Sequence, residues 1–218
     1  MTNNPDYLKE QRAQEWRAEL RSTIKAKERT SMERHNMPEN DPEERNKDHR
    51  EVNIGYNEET AMAEAQRCID CANPTCINGC PVGINIPKFI KYIEAGEFLS
   101  AARTLKETNA LPAVCGRVCP QEVQCESQCF YTQKLKKSPV AIGNLERFAA
   151  DYERNSGNIS IPETEEKNGI KVAIIGSGPA GLAVAGDMAK FGYDVTVFEA
   201  LHEIGGVLKY GIPEFRLP

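Results

Sequence analysis

Eight cysteines lie between Cys68 and Cys129, and the 218-residue chain holds no others. They fall in two groups. The first is Cys68-x2-Cys71-x4-Cys76-x3-Cys80-Pro81, and the second is Cys115-x3-Cys119-Pro120 followed by Cys125-x3-Cys129. Cysteines two to four residues apart on a turning backbone converge on a shared centre. Pro74, Gly79, Pro81, Gly83, Gly116 and Pro120 let the backbone wrap closely around it. Whatever this segment folds into, it has to be a thiol-lined cage held by short elements.

Three chemistries compete for such thiols. The start of the chain, Met1-Thr2-Asn3-Asn4-Pro5, lacks the apolar core of a secretory signal. No run approaches the roughly 18 apolar residues of a spanning helix. These features predict a cytoplasmic chain with no membrane contact, where structural disulfides are disfavoured. Two four-cysteine zinc sites would use all eight thiols. Zinc modules commonly carry paired Cys-x2-Cys knuckles, and only Cys68-Ile-Asp-Cys71 has that form. The Cys-Pro pairs resemble the bacterial ferredoxin run, in which the cysteine before proline ligates the other cluster. Spacing therefore favours two iron–sulfur clusters over zinc. On that analogy Cys68, Cys71 and Cys76 share one cluster with Cys129 crossing back, while Cys80 joins Cys115, Cys119 and Cys125.

The sequence around the cysteines reads as helical. Within residues 6–30, Trp16, Leu20 and Ile24 recur every four residues, with Leu8 and Ala13 near the same face. That narrow stripe predicts one solvated helix docked on its own protein. Residues 37–46, with Pro38 and Pro42, read as an extended linker. Asn57 is a cap for a helix over 58–67. Pro87, Phe89, Ile90, Ile93 and Gly96 outline another, 98–108 a third with Leu99, Ala102 and Leu105 on one side, and 142–152 a fourth. The polar stretch 155–169 marks a domain boundary.

From Lys171 the pattern changes. Residues 171–175 are a short β-branched run that predicts a buried strand. Residues 179–191 predict a helix closed by Gly192, and 194–199 a second strand. Between them stands Gly176-Ser177-Gly178-Pro179-Ala180-Gly181, a G-x-G-x-x-G turn opening a helix. Its glycines permit the tight turn, the approach of a pyrophosphate and close helix packing. Glu199 ends the second strand about 20 residues on, where an acidic side chain bonds ribose hydroxyls. The pair Gly205-Gly206 favours FAD over a simple NAD site. The net charge of −5 offers no general attraction for nucleic acid.

Taken together, three runs resemble the small (beta) subunit of NADPH-dependent glutamate synthase: Arg67-Cys-Ile-Asp-Cys-Ala-Asn-Pro-Thr-Cys-Ile-Asn-Gly-Cys-Pro-Val82, Leu111-Pro-Ala-Val-Cys-Gly-Arg-Val-Cys-Pro-Gln121 and Ile142-Gly-Asn-Leu-Glu-Arg-Phe148. The tail Gly205-Gly-Val-Leu-Lys-Tyr-Gly-Ile-Pro-Glu-Phe-Arg-Leu-Pro218 is similar to the same family's flavin-proximal segment. Relatives of that family include the large subunit of a ferredoxin:NADP oxidoreductase (transhydrogenase), a sulfide dehydrogenase flavoprotein and the N-terminal half of dihydropyrimidine dehydrogenase.

The resemblance implies a mainly α iron–sulfur domain of the α-helical ferredoxin type, followed by the start of an α/β Rossmann-like FAD-binding domain. The expected layout is a charged helical extension and linker over 1–56, a helical two-cluster domain over 57–155, a linker over 156–169, and a partial FAD-binding βαβ domain over 170–218. It also implies two [4Fe-4S] clusters. One is held by Cys68, Cys71, Cys76 and Cys129. The other is held by Cys80, Cys119, Cys125 and a carboxylate, Glu146, with Cys115 left over. FAD is expected on Gly176, Ser177, Gly178, Pro179, Ala180, Gly181, Glu199, Gly206, Val207 and Arg216. The resemblance implies no catalytic side chain in this segment.

An intact member is about twice as long, so the chain is expected to be a truncated piece whose NADPH site lies beyond it. In such a member a hydride from NADPH reduces FAD, and single electrons then pass through the clusters. The acceptor is a glutamate synthase large subunit or another flavin/iron–sulfur subunit. A non-enzymatic alternative is a docking module with structural metal sites.

Overall fold

Residues 4–218 are described in a computed structural model. In chain order the elements are α1 (Pro5–Ala13), α2 (Glu15–Thr23), α3 (Ala26–Arg29), α4 (Pro42–Arg45), α5 (Glu58–Gln66), α6 (Thr75–Asn78), α7 (Ile86–Glu94), α8 (Phe98–Lys106), α9 (Pro112–Val118), α10 (Ile142–Ser156), β1 (Lys171–Ile175), α11 (Pro179–Lys190), β2 (Asp194–Phe198) and α12 (Val207–Tyr210). A 3-10 turn (Gln121–Val123) and a π turn (Tyr131–Leu135) join α9 to α10. The chain divides into two compact units. One comprises residues 4–39 with Asn53–Ile159, and the other Asn40–Val52 with Ser160–Pro218.

The first unit is helical, and its core is built from the apolar faces of α5, α7, α8 and α10. Asn57 caps α5 by accepting from Thr60 N at 2.8 Å, so α5 starts where a side chain replaces the missing helical acceptor. Phe89, Ile90 and Ile93 on α7 are buried with Phe98, Ala101 and Leu105 on α8. Leu99, expected on the buried side, is only half-buried. Phe98 packs edge-on against Phe148 and Tyr152 at centroid distances of 5.0 and 4.8 Å, and Lys106 pairs with Glu153 at 2.6 Å. These contacts bind α8 to α10. Helix α10 runs to Ser156, one turn past its expected end, and closes on Gly157 in the left-handed region (φ 69°).

The N-terminal segment departs from the sequence expectation. In place of one helix over 6–30 there are three, broken by extended backbone at Gln14 (ψ 137°) and Lys25 (ψ 152°). On a straight helix Arg12 and Arg17 would point about 140° apart. The break at Gln14 turns both onto Asp70. Trp16 stacks on Tyr92 (4.4 Å), yet the apolar stripe is only half-buried, and the buried residues of α2 and α3 are Arg17 and Arg29. The expected linker over 37–46 also differs. Glu39 bridges Asn53 in antiparallel fashion, and Asp41 caps the short α4.

The second unit holds a two-stranded parallel sheet, β1 against β2, in register from Lys171↔Asp194 to Ile175↔Phe198, with α11 as the connection. β1 was expected to be buried. Only Ile174 is, while Ile175, Val197 and Phe198 are exposed, because one helix and one neighbouring strand cover few of the sheet's side chains. No helix of the described residues is long and apolar enough to cross a membrane.

Glycine sets the closest approach in the helical unit. A Cβ at Gly116 would lie 2.5 Å from Arg147 N, so α9 and α10 meet backbone to backbone. Gly116→Ala is therefore expected to destabilise the chain by about 1–3 kcal/mol through overpacking, read as a lower urea midpoint. An unchanged midpoint would show that α9 is not held against α10.

Candidate metal centres and nucleotide turn

Four cysteines of the first set line one narrow cleft. Cys68 follows α5, Cys71 ends the next loop, Cys76 lies in α6, and Cys129 comes from the stretch before the π turn. The rest of the wall is mostly apolar: Ile69, Ile86, Pro87, Ile90, Val140 and Ile142. Burial pushes the thiols up, Cys71 to about 12 and Cys68 and Cys76 also upward. After burial, neighbouring cysteines of the same set are the largest cause for Cys71 and Cys76. Lys91 opposes the rise at Cys68.

The second set gathers where α9 meets α10. Cys119 feels Glu146, Cys125 and Cys80, and Cys125, pushed up to about 12 mainly by burial, feels Glu126, Glu146 and Cys80. Glu146 is buried. Its carboxyl is raised to about 8, first by burial and then by Cys115, against a hydrogen bond from Asn109. Asn109 Nδ2 donates to Glu146 Oε1 at 2.8 Å, and Asn109 Oδ1 accepts from the Cys115 thiol at 3.6 Å. Cys115 and Cys119 also interact, which raises the pKa of Cys115 and lowers that of Cys119.

All eight cysteines are free thiols. Among the described residues, no group of three or more His, Cys, Asp or Glu is placed to hold a single metal ion. The thiolates of a cubane bind different irons and stand further apart. The residues fit an iron–sulfur group on a second count. Arg17 is buried and bonded to Asp70 in the Cys68–Cys71 loop, and its Nε and Nη1 have no partner, so buried cationic donors lie beside the cage.

The loop around Asp70 was not anticipated from the sequence. Asp70 is buried in the left-handed region (φ 50°). Its carboxylate accepts from Arg17 and from Arg21 Nη1 at 2.6 Å, and its carbonyl from Arg12 Nε at 2.7 Å. The available signal was an aspartate inside Cys-x2-Cys and arginines at 12, 17 and 21. Asn109 carried no signal at all.

In the second unit, the turn after β1 places Gly176 (φ 97°) and Gly178, the N-cap of α11, at the helix N-terminus. Pro179 opens that helix and Ala180 is exposed. A Cβ at Gly181 would collide with Gly176 O, which is the close packing the third glycine allows. Ser177, fully buried, is the hub. Its N and Oγ donate to Glu199 Oε2 at 2.9 and 2.5 Å, and its Oγ and O accept from Gly205 N at 3.1 Å. Glu199 Oε1 accepts from Leu201 N at 2.9 Å. Ser177 is the first cause that holds Glu199 down to about 2. Gly206 approaches Gly178 and leads into Val207 at the start of α12. Arg216 is exposed on the turn after Pro213.

Comparison with known proteins adds the following. Residues 45–158 match the family model described as dihydropyrimidine dehydrogenase domain II, 4Fe-4S cluster. Residues 174–213 match an NAD(P)-binding Rossmann-like domain. The NAD-dependent dihydropyrimidine dehydrogenase subunit PreT of Escherichia coli K12 is 45% identical over 158 residues, covering 72% of this chain and 38% of that protein. The glutamate synthase [NADPH] small chain of the same organism is 42% identical over 167 residues (77% and 35%), and that of Azospirillum brasilense 37% over 182 residues (83% and 38%). The chain spans little more than a third of the length of these relatives. It belongs to the family described as dihydropyrimidine dehydrogenase domain II, 4Fe-4S cluster.

Proposed function

We propose that this chain is the iron–sulfur and flavin-entry part of an electron-transfer oxidoreductase of the glutamate synthase small-chain type. It holds two [4Fe-4S] clusters and the first half of an FAD site. The observation that carries this reading is the sorting of the cysteines. Cys68, Cys71, Cys76 and Cys129 line one cleft. Cys80, Cys115, Cys119, Cys125 and Glu146 share a second field of mutual interaction. Held on the 176–181 turn and on the two cysteine sets, FAD would supply hydride chemistry and the clusters single-electron transfer.

The residues of the chain hold and screen these groups. Glu146 supplies the oxygen ligand of the second cage, with Asn109 orienting its carboxylate. Cys115 stays outside the ligand set, its thiol turned to Asn109 Oδ1. The turn 176–181 cradles the FAD pyrophosphate, Glu199 takes ribose hydroxyls, and Gly206, Val207 and Arg216 complete the near side. The final acceptor is a partner subunit carrying flavin or iron–sulfur centres. A glutamate synthase large chain is one such acceptor. The 45% identity to a dihydropyrimidine dehydrogenase subunit favours a second, pyrimidine-reducing partner. The reading includes no contact with nucleic acid or membrane, and a cytoplasmic location.

Anaerobically purified holoprotein should contain about eight irons per chain, the sum of two cubanes, and its centres should be reducible by dithionite. Stoichiometric zinc without iron would overturn the reading, and irreducible centres would favour a structural docking module. Glu146→Ala should disturb one cluster's EPR signal and spare the other. Cys115→Ala should leave both, and loss of a cluster there would restore an all-cysteine ligand set. Co-expression with each candidate partner, read as electron transfer from NADPH, separates the two acceptors.

Glu199 gives a test of the nucleotide turn. Its depressed pKa means that the native state gains stability from the ionised form above the ordinary carboxylate range and loses it as pH falls toward about 2. Ser177→Ala removes the leading hydrogen bond, so the Glu199 titration followed by NMR should move upward. An unmoved midpoint would show that the backbone donors alone hold the carboxylate.

A further inference from the structure

The N-terminal arginines make up the least expected feature of the helical unit. Arg12, Arg17 and Arg21 on α1 and α2 converge on Asp70, inside the loop from Cys68 to Cys71. Arg29 and Lys91 converge on carbonyls at the end of α5 and at the start of that loop. Lys91 Nζ donates to Cys68 O at 2.6 Å, and Arg29 Nη1 donates to Gln66 O at 2.5 Å. Both also pair with the buried Glu94. Five cations thus face two carboxylates, and Arg17, Arg29, Lys91, Asp70 and Glu94 are all buried. Burying charge is costly unless opposite charge compensates it. The carboxylates compensate part. A four-thiolate iron–sulfur group in the adjoining cleft carries negative charge and would compensate the rest. The three arginines lie ahead of the span 45–158 that the family model matches.

We propose that α1 and α2 form an intramolecular clamp on the Cys68–Cys71 loop, and that their arginines position this loop and raise the reduction potential of the iron–sulfur group it holds. The inference rests on the two-cluster reading above. The affected step is uptake of one electron by that group, with no bond made or broken. The electron adds negative charge, so a nearby cation stabilises the reduced form more than the oxidised one. Net charge and hydrogen bonding around a cluster are the levers by which a protein sets its potential. Arg12, Arg17 and Arg21 are therefore positioning residues that act through Asp70 and through charge. The second cage differs, with Glu126 and Glu146 facing Cys125, so the clamp should act on one cluster alone.

The test is a dithionite titration of the anaerobic holoprotein, monitored by EPR, for wild type, Arg21→Gln, Arg21→Lys and Arg17→Gln. Arg21 is one-fifth exposed, so Arg21→Gln should keep the fold and full iron. One cluster's midpoint should move negative by about tenfold in its reduced-to-oxidised ratio, about 59 mV for one electron, while the other stays put. Arg21→Lys should recover most of the shift, which a purely structural role would not require. Arg17→Gln should either shift the same cluster further or lose it selectively. The clamp is overturned if both glutamine variants hold full iron with both midpoints unchanged, or if Arg17→Gln loses both clusters equally. Wild-type protein without iron would instead overturn the cluster reading itself, so the two failures are distinguishable.

Discussion

The helical unit depends on one buried ion pair. Glu64, fully buried, accepts from Arg67 Nη1 at 2.6 Å, from Ala141 N at 2.8 Å and from His35 N at 2.9 Å. Arg67, equally buried, donates to Ser138 O and Pro139 O at 2.7 and 2.9 Å and lies over the Tyr131 ring at 4.8 Å. The Tyr131 hydroxyl is within 2.7 Å of Arg67 O and 2.8 Å of Arg29 O. Arg67 precedes Cys68, and Tyr131 follows Cys129 by two residues. The pair therefore brings together the two ends of the cysteine region, which lie far apart in sequence, and fixes the start of α10 against both. Removing one member of such a pair costs about 3–5 kcal/mol, since the other is left charged and buried.

The second cage is held by a different device. Arg117 on α9 pairs with Asp151 on α10 at 2.7 Å. Small residues set the approach: Gly116 lets α9 rest on the Arg147 backbone, and Gly79 lets the end of α6 approach Gln124 O, where a Cβ would stand 2.8 Å away. Close backbone approach brings the end of α6 to Cys125 Cα and α9 to the Arg147 backbone, next to Glu146. Asn109 then joins Glu146 and Cys115, so the buried carboxylate has a fixed partner and the eighth thiol has an acceptor. An unpartnered carboxyl at this burial would be expensive, and the single amide offsets much of that cost.

What the sequence made legible follows from range of interaction. Helices α5, α7 and α10 announce themselves through local chemistry: the Asn57 cap, Pro87 in a first turn and the apolar spacing of Phe89, Ile90 and Ile93. The G-x-G-x-x-G turn and both strands of the second unit are equally local. The three-helix N-terminus was not legible. Its breaks at Gln14 and Lys25 satisfy contacts to residues about 40 to 60 positions away, such as Asp70 and Gln66, which outweigh the weak preference for a continuous helix. The amphipathic stripe of Trp16, Leu20 and Ile24 identified a docking segment but mistook its chemistry, because the surface it meets offers carbonyls and a carboxylate. Leu99 and Ile175 failed for a related reason: periodicity assigns faces, while burial depends on which elements cover them.

The nucleotide turn shows how a site can be organised before its ligand arrives. Four short interactions tie Ser177 to Glu199 and Gly205, so the turn, the end of β2 and the glycine pair form one unit. Glu199 is half-buried, and an ion pair so near solvent would contribute little there. Its partners are instead neutral donors that hold the carboxylate ionised and aimed. Each carboxylate oxygen keeps acceptor capacity beyond the bonds it already makes, so a hydroxyl can be added without breaking the loop. Order bound in this way is not charged against ligand affinity, and it falls on the residues that the glycine spacing alone had singled out.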